Sequence, residues 1–349
     1  MAADASVSVV SRLRAPSVVG VLGSLFVLAI VFWLVVNLIK NPSDFFEVTS
    51  IGVTNGCVYA LVALGYTLVY GILELINFAH GDVFMLGGMF TITYANHVFG
   101  MNGGQGALLI PVIIGTMFLT MLTCGALNAM IEFLAYRPLR SAPRLAPLIT
   151  AIGVSFIIQD VALAIWGPEY VIAPDVLPRS DVVRIGSFDL QWNKVIAVII
   201  TVPVLLALVY LIRNTRQGKA MRATAQDKDA SAMMGINVNR TISFTFMIAG
   251  ALAGAAGVVY ALYFTSVKFD QGFQLGLIAF TAAVLGGIGN LPGAVLGAVL
   301  IGLLQGWNEG LNWHAPGSDW TQSIVFGILI LILVFRPSGL LGEQTPEGG

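Results

Sequence analysis

Four polar side chains lie within nine residues of an apolar stretch of the chain: Glu74, Asn77, His80 and Asp82. One interpretation is a solvated turn in which Asp82 caps the helix that follows it, and the imidazole titrates near neutral pH. The other is a broken or re-entrant element, because polar groups in an apolar setting are costly unless they are paired. Under the second interpretation, four residues either line a transport pathway or hold a structural element together: Asn77, His80, Gly81 and Asp82.

Residue patterns that would support nucleotide or metal chemistry are missing from the sequence. A phosphate-binding P-loop needs G-x-x-x-x-G-K-[ST], but Lys219, the lysine that follows a glycine, is followed by Ala220. The three histidines are widely separated, and Cys57 and Cys124 lie in apolar runs, so neither a metal site nor a disulfide framework is expected. No catalytic residue, metal or cofactor is predicted, and any ATP that drives this protein would bind to another chain.

The composition indicates a membrane protein. Hydrophobic residues make up 57% of the 349 residues and charged residues only 10%, whereas a soluble domain carries about 25% charged residues. A helix needs about 20 largely apolar residues to cross a bilayer. We therefore predict an all-α polytopic membrane protein with about eight to ten transmembrane helices. The candidate spans are 18–39, 49–71, 83–99, 107–134, 147–167, 194–212, 241–263, 274–289, 293–308 and 321–335.

Two of these spans, 274–289 and 293–308, are short and are joined by Gly289-Asn290-Leu291-Pro292. They are predicted to form either a hairpin of two short helices or one broken helix. Short or broken helices near 274–308 are typical of transport pathways, because irregular backbone at membrane depth is tolerated only where it is buried or lines a cavity.

Two further carboxylates, Glu132 and Asp160, lie near the ends of their spans. Charges near the membrane interface cost far less than charges at the midplane. We expect these two residues to snorkel or to pair with loops rather than to relay protons or sodium ions.

The segment 213–240 is strongly basic and holds six of the 17 Lys and Arg residues. Because Lys and Arg concentrate on cytoplasmic loops, this loop is expected in the cytoplasm. With both termini inside, the cytoplasmic segments hold 12 basic residues and the external segments hold five. The resulting division is a cytoplasmic segment 1–17, one transmembrane domain 18–335 with an external loop 168–193, and a cytoplasmic tail 336–349.

The basic loop contains Asp229-Ala230-Ser231-x-x-x-Gly235. This pattern resembles the E-A-A-x-x-x-G core of the cytoplasmic coupling loop of ABC importer permeases, a short helix that docks into a cleft on an ATPase subunit. Small residues allow close approach of two backbones, and glycine suits the position where a helix ends. The resemblance therefore assigns ATPase coupling to Asp229, Ala230, Ser231 and Gly235.

Other segments resemble the LivH-type permease subunit of branched-chain amino acid ABC transporters. The resemblance runs from about residue 48 to residue 342. It is carried by residues 65–71, 76–82, 136–140, 144–149, 222–227, 280–289 and 335–342.

The resemblance implies an ABC importer permease fold that moves Leu, Ile and Val into the cytoplasm of a bacterium. The implied complex lies in the inner membrane, in contact with lipid. It contains a second, related permease, two cytoplasmic ATPases that bind ATP, and an external or periplasmic solute-binding protein. Such a subunit is no enzyme and has no nucleic-acid partner. Urea or a short-chain amide remains an alternative solute, and an ATP-independent secondary transporter is the alternative of a different class.

The charge distribution predicts how engineered cysteines should react in a background without Cys57 and Cys124. A cysteine in place of Ser180 should react with a membrane-impermeant thiol reagent added to intact cells. A cysteine in place of Gln226 should react only after the membrane is opened. Labelling in the reverse pattern would contradict the orientation.

Overall fold

The computed structural model describes residues 18–100, 109–140, 142–143, 145–174, 181–185, 188–336 and 338–342. The predicted N-terminal segment 1–17 and most of the predicted tail lie outside these residues. The described helices are α1 (Val18–Lys40), α2 (Pro42–Leu73), α3 (Ala79–Thr93), α4 (Leu109–Ile131), α5 (Leu145–Trp166), α6 (Trp192–Asn214), α7 (Arg216–Gln226), α8 (Lys228–Met233), α9 (Val238–Phe264), α10 (Gln271–Gly286), α11 (Leu291–Gly310) and α12 (Thr321–Phe335). The described strands are β1 (Val171–Ile172), β2 (Asp181–Ile185), β3 (Phe188–Gln191) and β4 (Ser266–Val267).

Each predicted span coincides with a helix, which confirms the all-α polytopic fold. Within the described residues, seven helices are long and apolar enough to cross a membrane: α2, α4, α5, α6, α9, α11 and α12. The segment Leu28–Lys40 of α1 and helix α10 are shorter apolar helices. Helix α3 continues as a π turn over Tyr94–Val98, and α4 continues as a second π turn over Glu132–Tyr136.

Helices α2 and α9 form the centre of the bundle. Their apolar windows are 89% and 72% buried, whereas those of α5 and α12 are 22% and 11% buried. Helix α2 packs along α11, and α9 packs against α3 and α4. Helices α5 and α12 therefore lie at the periphery of the described bundle.

The two ends of the helix bundle differ in structure. Helices α7 and α8 lie at one end, which we call the loop end. At the opposite end, the hairpin end, β2 pairs with β3, and β1 pairs with β4. The predicted loop 168–193 thus contains three short strands within its described part.

The connection between α2 and α3 lies inside the bundle rather than at its surface. Glu74 ends α2 in the left-handed conformation, with φ of 57°. The His80 imidazole packs so closely on Gly65 that a Cβ there would overlap it. Gly65 lies eight residues before the end of α2, which corresponds to about 12 Å along the helix axis. Residues 74–78 are therefore a non-helical stretch that rises from the loop end into the bundle.

This geometry excludes the solvated turn. Helix α3 begins at Ala79 with Phe78 at its N-cap position, so Asp82 lies within the first turns of the helix and does not cap it. Asn77, His80 and Asp82 are all buried. Whether they border a transport pathway stays a prediction.

Helices α10 and α11 form a hairpin and not one broken helix. They are 16 and 20 residues long, so only α10 is short. The Asn290 side chain accepts a hydrogen bond of 3.0 Å from the Gly293 amide and starts α11. The amides of Leu340 and Leu341 donate to the carbonyls of Leu285 and Gly286, so the chain after α12 returns to the end of α10.

Candidate functional site

The loop end is an ordered structure because a side chain begins each of its helices. The hydroxyl of Thr215 accepts from the Gly218 amide at 3.0 Å and starts α7. The carboxylate of Asp227 accepts from the Ala230 amide at 2.9 Å and starts α8. Asn237 starts α9 in the same way. These caps satisfy backbone donors that a helix otherwise leaves free, so α8 is held between two fixed turns.

Gly235 terminates α8 as its position in the motif predicts. Its φ is 82°, a left-handed conformation that glycine adopts without a steric penalty. The Gly235 amide donates to the Ala232 carbonyl and the Ile236 amide to the Ser231 carbonyl, both at 3.0 Å. This pair of bonds is the Schellman arrangement that closes a helix and turns the chain away.

The surface of α8 combines charge with two exposed methionines. Ser231 is buried against the bundle and Asp229 is exposed. Met233 and Met234 are each 83% exposed. Methionine is flexible and apolar, and exposed methionines are frequent at protein-binding surfaces. The sequence analysis did not predict a role for these two residues, although two adjacent methionines in a basic, polar loop are a signal of a binding surface.

Asn77 joins the non-helical stretch to the end of α4. The Tyr136 hydroxyl donates to Asn77 Oδ1 at 2.6 Å, and Tyr136 is itself buried against Phe246 of α9. Tyr136 is the last residue of the π turn Glu132–Tyr136. A distortion of this kind in a helix is often found at functional sites. The irregular backbone is thus held by a neighbouring helix rather than by water.

His80 and Gly81 fix where α3 lies in the bundle. The His80 ring meets the Tyr66 ring edge to face, with centroids 4.9 Å apart. Neither ring nitrogen of His80 has a hydrogen-bond partner among the described residues. Gly81 lies against the backbone of α10 at Gly272 and Gly276, where a Cβ would overlap main-chain atoms.

Asp82 joins α3 to α5. Its carboxylate accepts a hydrogen bond from the Ser155 hydroxyl and a second one, of 3.1 Å, from the Gln159 amide. Both partners are neutral, and no ion pair to Asp82 occurs within the described residues. Because a buried carboxylate is costly without donors, these two bonds position α5, which otherwise has few buried residues.

Glu132 forms a second buried network, which we call the Glu132 clasp. Its carboxylate is fully buried, forms an ion pair with Arg140 and accepts a hydrogen bond of 2.5 Å from the Ser243 hydroxyl. Arg140 also donates to Asn239 Oδ1 at 2.6 Å. The clasp therefore ties the end of α4 to the first turns of α9, and the expectation of loop pairing for Glu132 is confirmed.

Burial lowers the pKa of the Arg140 guanidinium from its ordinary value, and the adjacent Glu132 carboxylate opposes this shift. An arginine nevertheless stays protonated in proteins. The clasp is thus a charged pair, and removing one partner leaves the other charge buried and uncompensated.

A cavity of about 550 Å³ lies apart from these polar networks. It opens at the loop end between α2, the α6–α7 junction and the α10–α11 turn, and Arg213, Arg222 and Thr67 contribute to its lining. Arg222 donates to the Ile212 carbonyl and so holds α7 against the end of α6. Within the described part of the chain, no group of three or more potential metal ligands is assembled.

Comparison with known proteins places this arrangement among membrane permeases. A family model described as the permease component of branched-chain amino acid transport systems matches residues 48–334. The high-affinity branched-chain amino acid transport system permease proteins BraD of Pseudomonas aeruginosa and LivH of Escherichia coli are each 37% identical over 300 residues, covering 85% of this chain and 95% of theirs. The ribose import permease protein RbsC of Escherichia coli is 33% identical over 137 residues, which cover 38% of this chain and 41% of that protein. No solved structure gave a significant match.

The hydrogen bonds of Asp82 predict graded effects on stability. Asp82→Ala leaves Ser155 and Gln159 without their acceptor and should lower the free energy of unfolding by about 1–3 kcal/mol. Asp82→Asn keeps an acceptor and should cost less. The control is Asp319→Asn, whose exposed carboxylate lies before α12, has no partner among the described residues and should be neutral. Thermal unfolding in detergent measures all three, and equal midpoints for Asp82→Ala and Asp319→Asn would contradict the assignment.

Proposed function

The chain belongs to the family of permease components of branched-chain amino acid transport systems, and on this premise we propose that it moves Leu, Ile and Val across a bacterial inner membrane in an ATP-driven importer. The family predicted from the sequence motifs is thereby confirmed. The observation that carries the proposal is the match over residues 48–334, which includes both the buried polar element and the α7–α8 loop. The names of BraD and LivH support this class of solute. The ribose permease covers too little of the chain to favour a sugar.

In this proposal the chain is one transmembrane subunit of a larger complex. A second, related permease pairs with it, two ATPases bind on the cytoplasmic side, and a binding protein delivers the solute from outside. The loop end faces the cytoplasm, in agreement with the basic character of 213–240. ATP hydrolysis takes place on the partner ATPases, and this chain converts their movement into movement of solute.

The exposed face of α8 is the proposed contact with an ATPase. The caps at Asp227 and Gly235 fix the length and direction of α8, so Asp229, Met233 and Met234 are held outward in a defined arrangement. A preformed surface loses little conformational entropy on binding. Ser231 is buried against the bundle, which keeps the docked helix attached to the membrane domain.

The Glu132 clasp gives the loop a connection to the membrane interior. Helix α9 begins immediately after the loop, and its first turns carry Asn239 and Ser243, which bind Arg140 and Glu132. A displacement of α8 therefore pulls on the π turn Glu132–Tyr136. At the other end of that turn, Tyr136 holds Asn77.

From Asn77 the connection continues to the peripheral helix α5. Asn77 precedes α3 by two residues, and Asp82 in α3 binds Ser155 and Gln159 of α5. Coupling between distant sites needs an element with two arrangements that both sites bias. We propose that the non-helical stretch between α2 and α3 is this element, because side chains of neighbouring helices hold its backbone in place of helical hydrogen bonds.

Docking through α8 predicts that ATPase binding depends on both the exposed methionines and the helix end. Met233→Ala with Met234→Ala should reduce the amount of ATPase that copurifies with the tagged permease, whereas Met130→Ala, an exposed methionine on α4, should not. Gly235→Val forces a β-branched residue into a left-handed conformation at a cost of about 1–2 kcal/mol and should uncouple hydrolysis from uptake. Gly235→Asn is the matched variant that tolerates this conformation. Wild-type ATPase binding and uptake in Gly235→Val and the double methionine variant would refute docking at α8.

Transmission through the Glu132 clasp predicts that clasp variants change the number of ATP molecules hydrolysed per transported solute but not the binding of the ATPase. Glu132→Gln and Arg140→Lys should raise the number of ATP molecules hydrolysed per solute several-fold while ATPase copurification stays normal, because each change weakens the contacts that join the end of α4 to the first turns of α9. Arg137→Lys is the control, since Arg137 lies beside Arg140 but stacks on Phe133. The measurement is uptake and hydrolysis by the same proteoliposomes. An unchanged ratio in both clasp variants would exclude transmission by this route.

A further inference from the structure

Asp160 is an exposed carboxylate in the membrane-spanning part of α5. It lies six residues before Trp166, the last residue of the helix, which is about 9 Å along the axis. It has no hydrogen bond or ion pair among the described residues, unlike Glu132. Loop pairing, one of the two roles expected for Asp160, is therefore not found among the described residues.

An ionised side chain at this position is unfavourable if it faces lipid. Charged residues within transmembrane segments face a protein interior or a water-filled cavity and mark the routes of ions and solutes. Lysine and arginine can reach the interface with long side chains, but the side chain of aspartate is too short to span 9 Å. The face of α5 that carries Asp160 is thus expected to meet water or protein.

The remainder of this face has the chemistry of an aliphatic solute. Near Asp160 on the helix surface lie Phe156 and Ile157, which are 59% and 62% exposed. Two turns away, Gly153 has open space where a side chain would lie. The face therefore offers one carboxylate, apolar walls and room beside them.

The opposite face of α5 attaches it to the bundle. Ser155 and Gln159 bind Asp82, and the Trp166 indole donates to the Thr93 hydroxyl at 3.0 Å. These attachments leave the Asp160 face free and connect it, through α3, to the buried polar element.

We propose that this face of α5 lines the solute pathway and that Asp160 receives the ammonium group of the amino acid while the apolar side chains contact its alkyl group. The proposal rests on the proposed function, and it names the solute chemistry of the site. An ammonium group needs an anionic partner in a partly dehydrated passage, whereas urea carries no charge and would need none. The second permease supplies the facing wall.

The first test is accessibility in the assembled transporter. In a background lacking Cys57 and Cys124, Asp160→Cys and Phe156→Cys should react with a charged aqueous thiol reagent at least about ten-fold faster than Leu331→Cys on the exposed face of α12, because the thiolate forms only where water reaches it. Addition of leucine with the binding protein should slow the reaction at residue 160. Reaction of both α5 cysteines only with a lipid-soluble maleimide would overturn the proposal.

The second test separates the carboxylate from the shape of the site. Asp160→Asn should lower leucine uptake by at least about ten-fold, because a desolvated charge pair is lost, and Asp160→Glu should restore most of it. Wild-type uptake by Asp160→Asn would refute the role of the carboxylate even if the face is aqueous. A different result would reject the proposed function: the wild-type complex would show no ATP-driven leucine uptake. In that case the cysteine labelling would still decide whether α5 borders water.

Discussion

The need to satisfy every polar group at membrane depth governs this structure. In a bilayer no water is available for free amide and carbonyl groups, so non-helical backbone persists only where protein surrounds it. The chain between α2 and α3 meets this condition with side chains from three helices. Tyr136 binds Asn77, Tyr66 packs on His80, and α10 presents glycine backbone to Gly81. Without these contacts, α3 could not start in the middle of the bundle.

The same contacts determine how movement can pass through the molecule. Helix α5 has few buried residues, and its attachment to α3 depends on Asp82. The Glu132 clasp lies between that region and the first turns of α9, next to the capped loop. Charged and polar contacts have strict geometry, so a small displacement either preserves or breaks them. A polar connection through an apolar bundle is thus suited to transmit a discrete change.

The sequence predicted those features that depend on local composition. Runs of apolar residues placed the helices, and the motif at 229–235 predicted a short helix that ends at Gly235. The cost of polar groups in an apolar stretch made burial of Asn77 and Asp82 one of two interpretations, beside a solvated turn. Their partners could not be predicted, because Tyr136 is 59 residues from Asn77 and Ser155 is 73 residues from Asp82. Apolar periodicity does not specify which helices are neighbours in a bundle, so Asp82 was open to interpretation as a cap and Asp160 as a loop partner.

The most direct test of the account is whether α8 and α5 move together. A spin label on a cysteine replacing Ala232 in α8, or on one replacing Ile157 in α5, is paired with a second label on a cysteine replacing exposed Leu331 in α12. Each pair reports the distance of one helix from α12 in a reconstituted complex. ATP binding should shift both distance distributions in the wild-type permease. In Glu132→Gln, the α8 distribution should still shift and the α5 distribution should not, because the clasp that connects them is broken. A normal shift at Ile157 in Glu132→Gln would contradict the account, and so would an α5 helix that does not respond to ATP in the wild type.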